Sequence, residues 1–403
     1  MTPEQQLEAL CRGAQHVEKR EELLERLQEG RPLRIKYGAD PSAPDLHLGH
    51  SVPMKKLRLF QELGHEVTFI VGDFTGRIGD PSGKSKTRPM LSQAQVEQNA
   101  ATYVQQAAKI LDVAKAQIVF NSTFFEHLGA GGILELASTY TVARMLERDD
   151  FAKRMAQESP ISVRELLYPL IQSYDSVALE ADVEIGGQDQ LFNVLVARDV
   201  QRAYGQRPQV ALCFPLLPGL DGVEKMSKSL GNYVGLTDEP NDMFGKLMSI
   251  PDDLLPEYYR LLLDTPEPEW RQIAADMAAG GAHPREVKAD LAERIVAQYH
   301  TPEQAAEARE EFGRIFAQGE LPADLPVVAI RSSELEEGKL WLPKLLKTCG
   351  LVASTSEGRR MIEQGAVSLD QERCSDAAAE VEVRTGMVLQ VGKRRFARVE
   401  ISE

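Results

Sequence analysis

Short apolar runs that each hand over to a helical pattern constrain this chain more than any other feature. Leu33 to Tyr37 stops at Gly38, Val67 to Val71 at Gly72, and Val183 to Ile185 at Gly186-Gly187. Gln117 to Phe120 and Val210 to Phe214 read as two further strands. Helical patterns run from about Leu48 to Leu63 and from Gln190 to Tyr204. Short apolar strands alternating with helices predict an α/β fold with a doubly wound parallel sheet. Ligands of such sheets sit beyond the carboxyl ends of the strands. Functional side chains should therefore gather near the glycine stops.

The remaining segments read as helical or small. Met1 to Gly30 carries Leu7, Leu10, Leu23, Leu24 and Leu27 among charged residues and predicts an N-terminal amphipathic helical segment over residues 1–32. A sheet domain is expected over 33–222, with a helical insertion around 91–160. A lysine-rich loop and an α-helical domain follow over 223–320. Leu321-Pro322-Ala323-Asp324-Leu325-Pro326 predicts a linker, taken to 339, and residues 340–403 a small α+β domain.

Composition narrows the class. Val210 to Leu217 is among the longest apolar stretches and is broken by Pro215, so no membrane span is expected. The charged N-terminus does not read as a secretory signal. Cys11, Cys213, Cys349 and Cys374 are scattered without a C-x-x-C pair. That disfavours a zinc ribbon or disulfide framework and predicts a cytoplasmic protein. The net charge of −15 is uneven: from Lys339 onward there are eleven Lys/Arg against nine Asp/Glu. An acidic body with a mildly basic tail suits RNA handling, and equally suits an acidic enzyme with a neutral tail.

Three motifs carry chemistry. In His47-Leu48-Gly49-His50 the two histidines lie three apart at a helix start, so both face one side. A helix N-terminus attracts anions, and two imidazoles there suit a phosphate chain. A shared metal ion or two ordinary surface histidines remain open readings. Lys225-Met226-Ser227-Lys228-Ser229 supplies two lysines among hydroxyls and glycines, as a triphosphate clamp would, or as a solvated basic loop. Tyr168, Gln172 and Asp175 fall at i, i+4 and i+7 on one helical face. With Gly186-Gly187-Gln188-Asp189-Gln190 they could line a pocket for a polar small molecule, or simply form a polar helix surface. Gly79 to Ser85 tempts a P-loop reading. Walker A requires four residues between its first Gly and the Gly-Lys pair, and Gly79 leaves three, so that reading fails.

Together these motifs resemble the bacterial tyrosyl-tRNA synthetases, a class I aminoacyl-tRNA synthetase family, over essentially the whole chain. The resemblance implies a Rossmann-like catalytic domain and a two-step reaction. Tyrosine would attack the ATP α-phosphate, ATP being accompanied by Mg²⁺, and the tyrosyl group would then pass to tRNA(Tyr). It implies that Asp80, Tyr168 and Gln172 hold the substrate ammonium, that Asp175 accepts from the phenol, and that Gln190 sits near the carboxylate. Ser42, His47 and His50 would contact ATP phosphates. Gly49 would lie under the adenine, and Gly187 and Asp189 near the ribose. Lys225, Lys228, Lys84 and Arg88 would embrace the leaving pyrophosphate. Many relatives carry Tyr where this chain has Lys36, which leaves the second phenol contact open. Residues from Trp341 onward resemble the S4 RNA-binding domain through Arg359, Arg360, Lys393, Arg394 and Arg395. The family's insertion builds a homodimer. No resident metal and no membrane contact are implied. The alternatives are the related tryptophan enzyme, which Asp175 and the tail argue against, and an RNA-binding regulator or splicing partner on a synthetase scaffold, which the two histidines and two lysines argue against.

Overall fold

The computed structural model describes residues 1–41, 45–82, 91–126, 128–317, 325–336, 338–392 and 395–402. The chain divides into two units, Met1–Pro302 and Glu303–Glu403. The first is built on a six-stranded sheet in the order β1-β6-β5-β2-β3-β4. Its strands are β1 (His16–Glu18), β2 (Arg34–Ala39), β3 (Glu66–Val71), β4 (Ala116–Phe120), β5 (Val183–Gly187) and β6 (Val210–Phe214). β2 to β6 run parallel, and β1 closes the β6 edge antiparallel. The central strands are covered on both faces, which is why they read as nearly unbroken apolar runs. All of β6 and the first four residues of β5 are buried.

The chain order reverses between β2 and β5. From β2 the sheet grows through β3 to β4 on one side; β5 and β6 extend it on the other. That reversal is the switch point where α/β sheets bind ligands. Three helices border it: α3 (Leu48–Glu62), α4 (Val163–Leu179) and α5 (Leu191–Ala203). α4 and α5 pack against each other.

The structure changes three of the boundaries expected from sequence. Residues 1–32 are not one helical segment: α1 (Pro3–Cys11) and α2 (Arg20–Gln28) flank β1. Arg26 anchors α2, donating to the carbonyls of Asp182 at 2.7 Å and Pro208 at 2.5 Å. The insertion expected around 91–160 is not purely helical, because β4 lies within it. Residues 321–339 are not all linker. Within the second unit, Val327–Arg331 forms β7 and pairs in parallel with the last strand, Val327 opposite Arg398. Its Ile330 is fully buried, and this burial overrides the turn character of the preceding prolines.

The second unit carries the long helix Pro302–Ala317 and a five-stranded sheet in the order β10-β9-β12-β13-β7. Here β9 is Val367–Leu369, β10 Glu372–Cys374, β12 Val388–Val391 and β13 Arg395–Ser402. A two-stranded ribbon joins β8 (Lys339–Trp341) to β11 (Glu380–Glu382). Leu342, Leu345 and Leu346 of one short helix and Ile362 of another pack with Val367, Leu389 and Val399 into its core.

Candidate active site

The side chains at the switch point meet in one cleft of about 440 Å³. Lining it are His47, Gly49, His50, Asp80, Tyr168, Gln172, Asp175, Gly187, Asp189, Gln190, Lys225 and Lys228. Ser42, Lys84 and Arg88 lie outside the described residues.

The histidines open α3 as a reciprocal cap. His47 Nδ1 accepts from the Gly49 N–H at 3.2 Å, and His50 Nδ1 accepts from the His47 N–H at 3.2 Å. Their rings stand 3.9 Å apart. Accepting at Nδ1 puts the proton of each neutral ring on Nε2, so each ring keeps one N–H donor. Burial, together with the charge of Lys228, pushes His50 down to about 4. Burial lowers His47 further, with His50 and Lys228 adding to it. Both rings are therefore neutral donors at neutral pH. A Cβ on Gly49 would stand 3.0 Å from the His47 ring, which explains the small residue there.

Tyr168, Gln172 and Asp175 belong to α4, which starts at Val163 under a Ser162–Glu165 capping box. Pro169 is interior to this helix, and Ser173 Oγ donates to its carbonyl at 2.5 Å. The face is not a solvated surface. Tyr168 is 5% and Asp175 3% exposed, which settles the choice between pocket and polar helix surface. Gln172 Oε1 and Asp175 Oδ1 accept no hydrogen bond from the described residues. Burial pushes Asp175 up to about 7, against the pull of Lys36. Burial and the neighbouring Asp40 raise the Tyr168 phenol well above its usual range.

Asp80 and Gln190 are joined, Gln190 Nε2 donating to Asp80 Oδ2 at 2.8 Å. Ser82 Oγ donates to Asp80 Oδ1 at 2.6 Å and accepts from Arg148 at 2.5 Å. The lysine loop is docked by its Met226, 4% exposed, whose N–H bonds to the Leu217 carbonyl at 2.8 Å. Its lysines are paired across the cleft: Lys225 Nζ with Asp189 at 2.6 Å and Lys228 Nζ with Asp45 at 3.3 Å. Lys228 also lies 5.9 Å from the Tyr233 ring centre.

Sequence reading missed a chain of polar groups across the cleft. Tyr168 donates to Asp40 Oδ2 at 2.9 Å, and Thr75 donates to Asp40 Oδ1 at 2.6 Å. Asn121 Nδ2 then reaches Thr75 at 3.1 Å and Asp175 at 3.4 Å. A Cβ on Gly72 would fall 2.1 Å from Asp40 Oδ1, so the glycine after β3 is what lets this carboxylate in. That glycine stop and the Asp40 at the end of β2 were the available signals.

In the second unit Arg359 and Arg360 are exposed, and Arg359 stacks 4.8 Å from the Trp341 ring centre. Arg395 is tied to the Leu351 carbonyl at 2.6 Å and to Glu357 at 3.2 Å. Lys393 and Arg394 lie outside the described residues.

Residues 28–317 match the family described as tRNA synthetases class I (W and Y), and residues 340–388 match the S4 domain. The chain is 53% identical over 398 residues to the tyrosine–tRNA ligase of Moorella thermoacetica, covering 98% of this chain and 95% of that one. It is 54% identical over 395 residues to the tyrosine–tRNA ligase of Mannheimia succiniciproducens, covering 98% of each. The solved tyrosyl-tRNA synthetase of Aeropyrum pernix shares its fold, with a TM-score of 0.63 at 22% identity, over 77% of this chain and 98% of that one.

Proposed function

The chain belongs to the class I tRNA synthetases of the tryptophan and tyrosine type, and from that premise we infer that it is a tyrosine–tRNA ligase. It joins tyrosine to ATP as tyrosyl-adenylate, releases pyrophosphate, and passes the tyrosyl group to the 3′ end of tRNA(Tyr). The observation that carries the choice of tyrosine is the buried Asp175, whose Oδ1 accepts nothing from the described residues. A phenol supplies the donor that this oxygen needs, and an indole N–H sits differently on its ring.

The other roles follow from charge and reach. The substrate ammonium suits Asp80, Tyr168 and the free oxygen of Gln172, and the carboxylate suits the Gln190 side. Held in place, that carboxylate is the nucleophile toward the α-phosphorus, so the protein supplies position and charge rather than a covalent intermediate. The Nε2–H groups of His47 and His50 donate to the phosphates without adding charge. Gly49 leaves room for the adenine, with Gly187 and Asp189 beside the ribose. Ser42 joins the histidines at the ATP phosphates, and Lys225 and Lys228, with Lys84 and Arg88, meet the pyrophosphate that leaves. ATP enters as its magnesium complex, the ion being held by phosphate oxygens as part of the substrate.

Residues 33–222 form the catalytic domain in this reading, residues 223–320 the lysine loop and the anticodon side, and residues 340–403 a tRNA-binding S4 domain through Arg359, Arg360, Lys393, Arg394 and Arg395. Leu134, Val142, Met155 and Val163, all on helices that follow β4, are exposed apolar side chains and support a homodimer built there. Among the described residues no helix is long and apolar enough to cross a membrane. We place the enzyme in the cytoplasm, with translation.

The deciding assay is ATP–pyrophosphate exchange. Exchange should depend on tyrosine; exchange with tryptophan instead, or with no amino acid, would overturn the reading. A second expectation concerns the tail. Because β7 pairs with β13, the cut belongs before Val327. Deleting residues 325–403 should leave exchange within about twofold and lower tRNA charging at least about 10²-fold, because the lost contacts are to RNA backbone and fold. Charging at the intact rate would refute the tail's role.

A further inference from the structure

The cleft contains a buried ion pair that the scheme above does not use. Lys36 and Glu184 are register partners on β2 and β5. They are 1% and 2% exposed, with Nζ and Oε1 3.0 Å apart. The Lys36 ammonium has three hydrogens, and three acceptors surround it: Glu184, Ser176 Oγ at 2.7 Å and the Gln172 carbonyl at 2.9 Å. No donor remains for a substrate hydroxyl, so Lys36 is not the second phenol partner. Glu184 in turn accepts from Gln172 Nε2 at 3.2 Å, from Ser176 Oγ at 3.3 Å and from Gln209.

Gln172 is where this network reaches the substrate. Its side-chain amide could bind either way round if its neighbour were neutral. A carboxylate only accepts, so Glu184 fixes Nε2 against itself and leaves Oε1, on a residue that lines the cleft, without a partner among the described residues. The flipped amide would present an NH₂ group to the ammonium and repel it. We propose that the Lys36–Glu184 pair is a positioning element of the amino-acid pocket: Glu184 orients Gln172 toward the substrate's ammonium, and Lys36 holds Glu184 in place. This rests on the ligase reading, in which Gln172 meets that ammonium.

Removing one partner would strand a buried charge. The double variant Lys36→Met/Glu184→Gln removes both charges at similar volume and leaves Gln172 free to turn. Equilibrium binding is compared for L-tyrosine and for 3-(4-hydroxyphenyl)propionate, which is tyrosine without its amino group. Tyrosine should bind about tenfold more weakly to the variant, the size of one lost charge-assisted hydrogen bond. The des-amino analogue should bind within about twofold of wild type. Equal losses for both ligands mean general damage to the pocket and overturn the proposal, as does no loss for either. Glu184→Asp, which keeps both charges but draws the carboxylate back from Gln172 Nε2, serves with the same ligands and the same outcomes if the double variant does not fold. Failure of wild-type protein to bind tyrosine at all would instead sink the ligase reading.

Discussion

Replacing Asp175 by Asn is expected to cut the preference for tyrosine over phenylalanine by about 10²–10³-fold, read as the ratio of kcat/KM values in ATP–pyrophosphate exchange. Enzymes of this very family discriminate by about 10⁵-fold without editing. The cause here is the environment of Asp175. The side chain is 3% exposed, and its one donor among the described residues is Asn121 at a long 3.4 Å. Phenylalanine would leave Oδ1 of that carboxylate buried and without a donor, which costs about 1–3 kcal/mol or more for a charged group. Asparagine has the same shape but no charge. It weakens the bond to the phenol and lowers the penalty for phenylalanine, so both arms of the ratio move the same way. An unchanged ratio would remove Asp175 as the phenol reader.

The same residue gives the site a pH dependence of definite sign. Burial raises Asp175 to about 7, with Glu184 and Asp40 adding to the rise and Lys36 and Asn121 opposing it. The folded chain therefore binds a proton more readily than the unfolded one. This group's contribution to stability is full below the ordinary carboxylate range and is lost as pH rises through about 7. Tyrosine binding runs the other way, because the phenol donates best to the ionised form. Affinity should be full above about 7 and fall by up to tenfold per pH unit below it. The Asn variant should lack that inflection.

What could be read from the chain, and what could not, divides along the range of the interactions. β6 is a run of five buried residues, so it is visible as an apolar word. β1 has three residues between two helical patterns and exists because β6 offers an open edge. β7 was hidden for the same reason, its partner being the last strand, about seventy residues on. The motif residues were legible because each motif is local. Asp40 was not: its role comes from Tyr168, 128 positions away, and from Thr75. Lys36 stood out only as a departure from the family's usual residue. Its meaning depends on the β2–β5 register, which brings Glu184 opposite it.

Lys228→Ala should slow tyrosine activation by about 10²–10³-fold while leaving tyrosine affinity within about twofold. The ammonium is half-buried, 3.3 Å from Asp45 and beside the Tyr233 ring. Burial lowers its pKa, with Asp45 resisting, so the cation is costly to hold and gains from any stronger anion nearby. Lys225 is in tighter contact with its own carboxylate, at 2.6 Å from Asp189. ATP brings phosphates into the same cleft, and negative charge accumulates on the leaving pyrophosphate as the α-phosphorus bond breaks. An ammonium whose grip strengthens with that charge lowers the barrier; one that binds ATP and transition state equally changes KM alone. Loss of one such donor is worth about 2.7–4 kcal/mol of barrier. Single-turnover adenylate formation, followed alongside tyrosine titration, separates the two cases. A Lys228→Ala variant whose rate is intact, or whose tyrosine binding falls as far as its rate, would show that the lysine loop holds the ground state and does not act on the departing pyrophosphate.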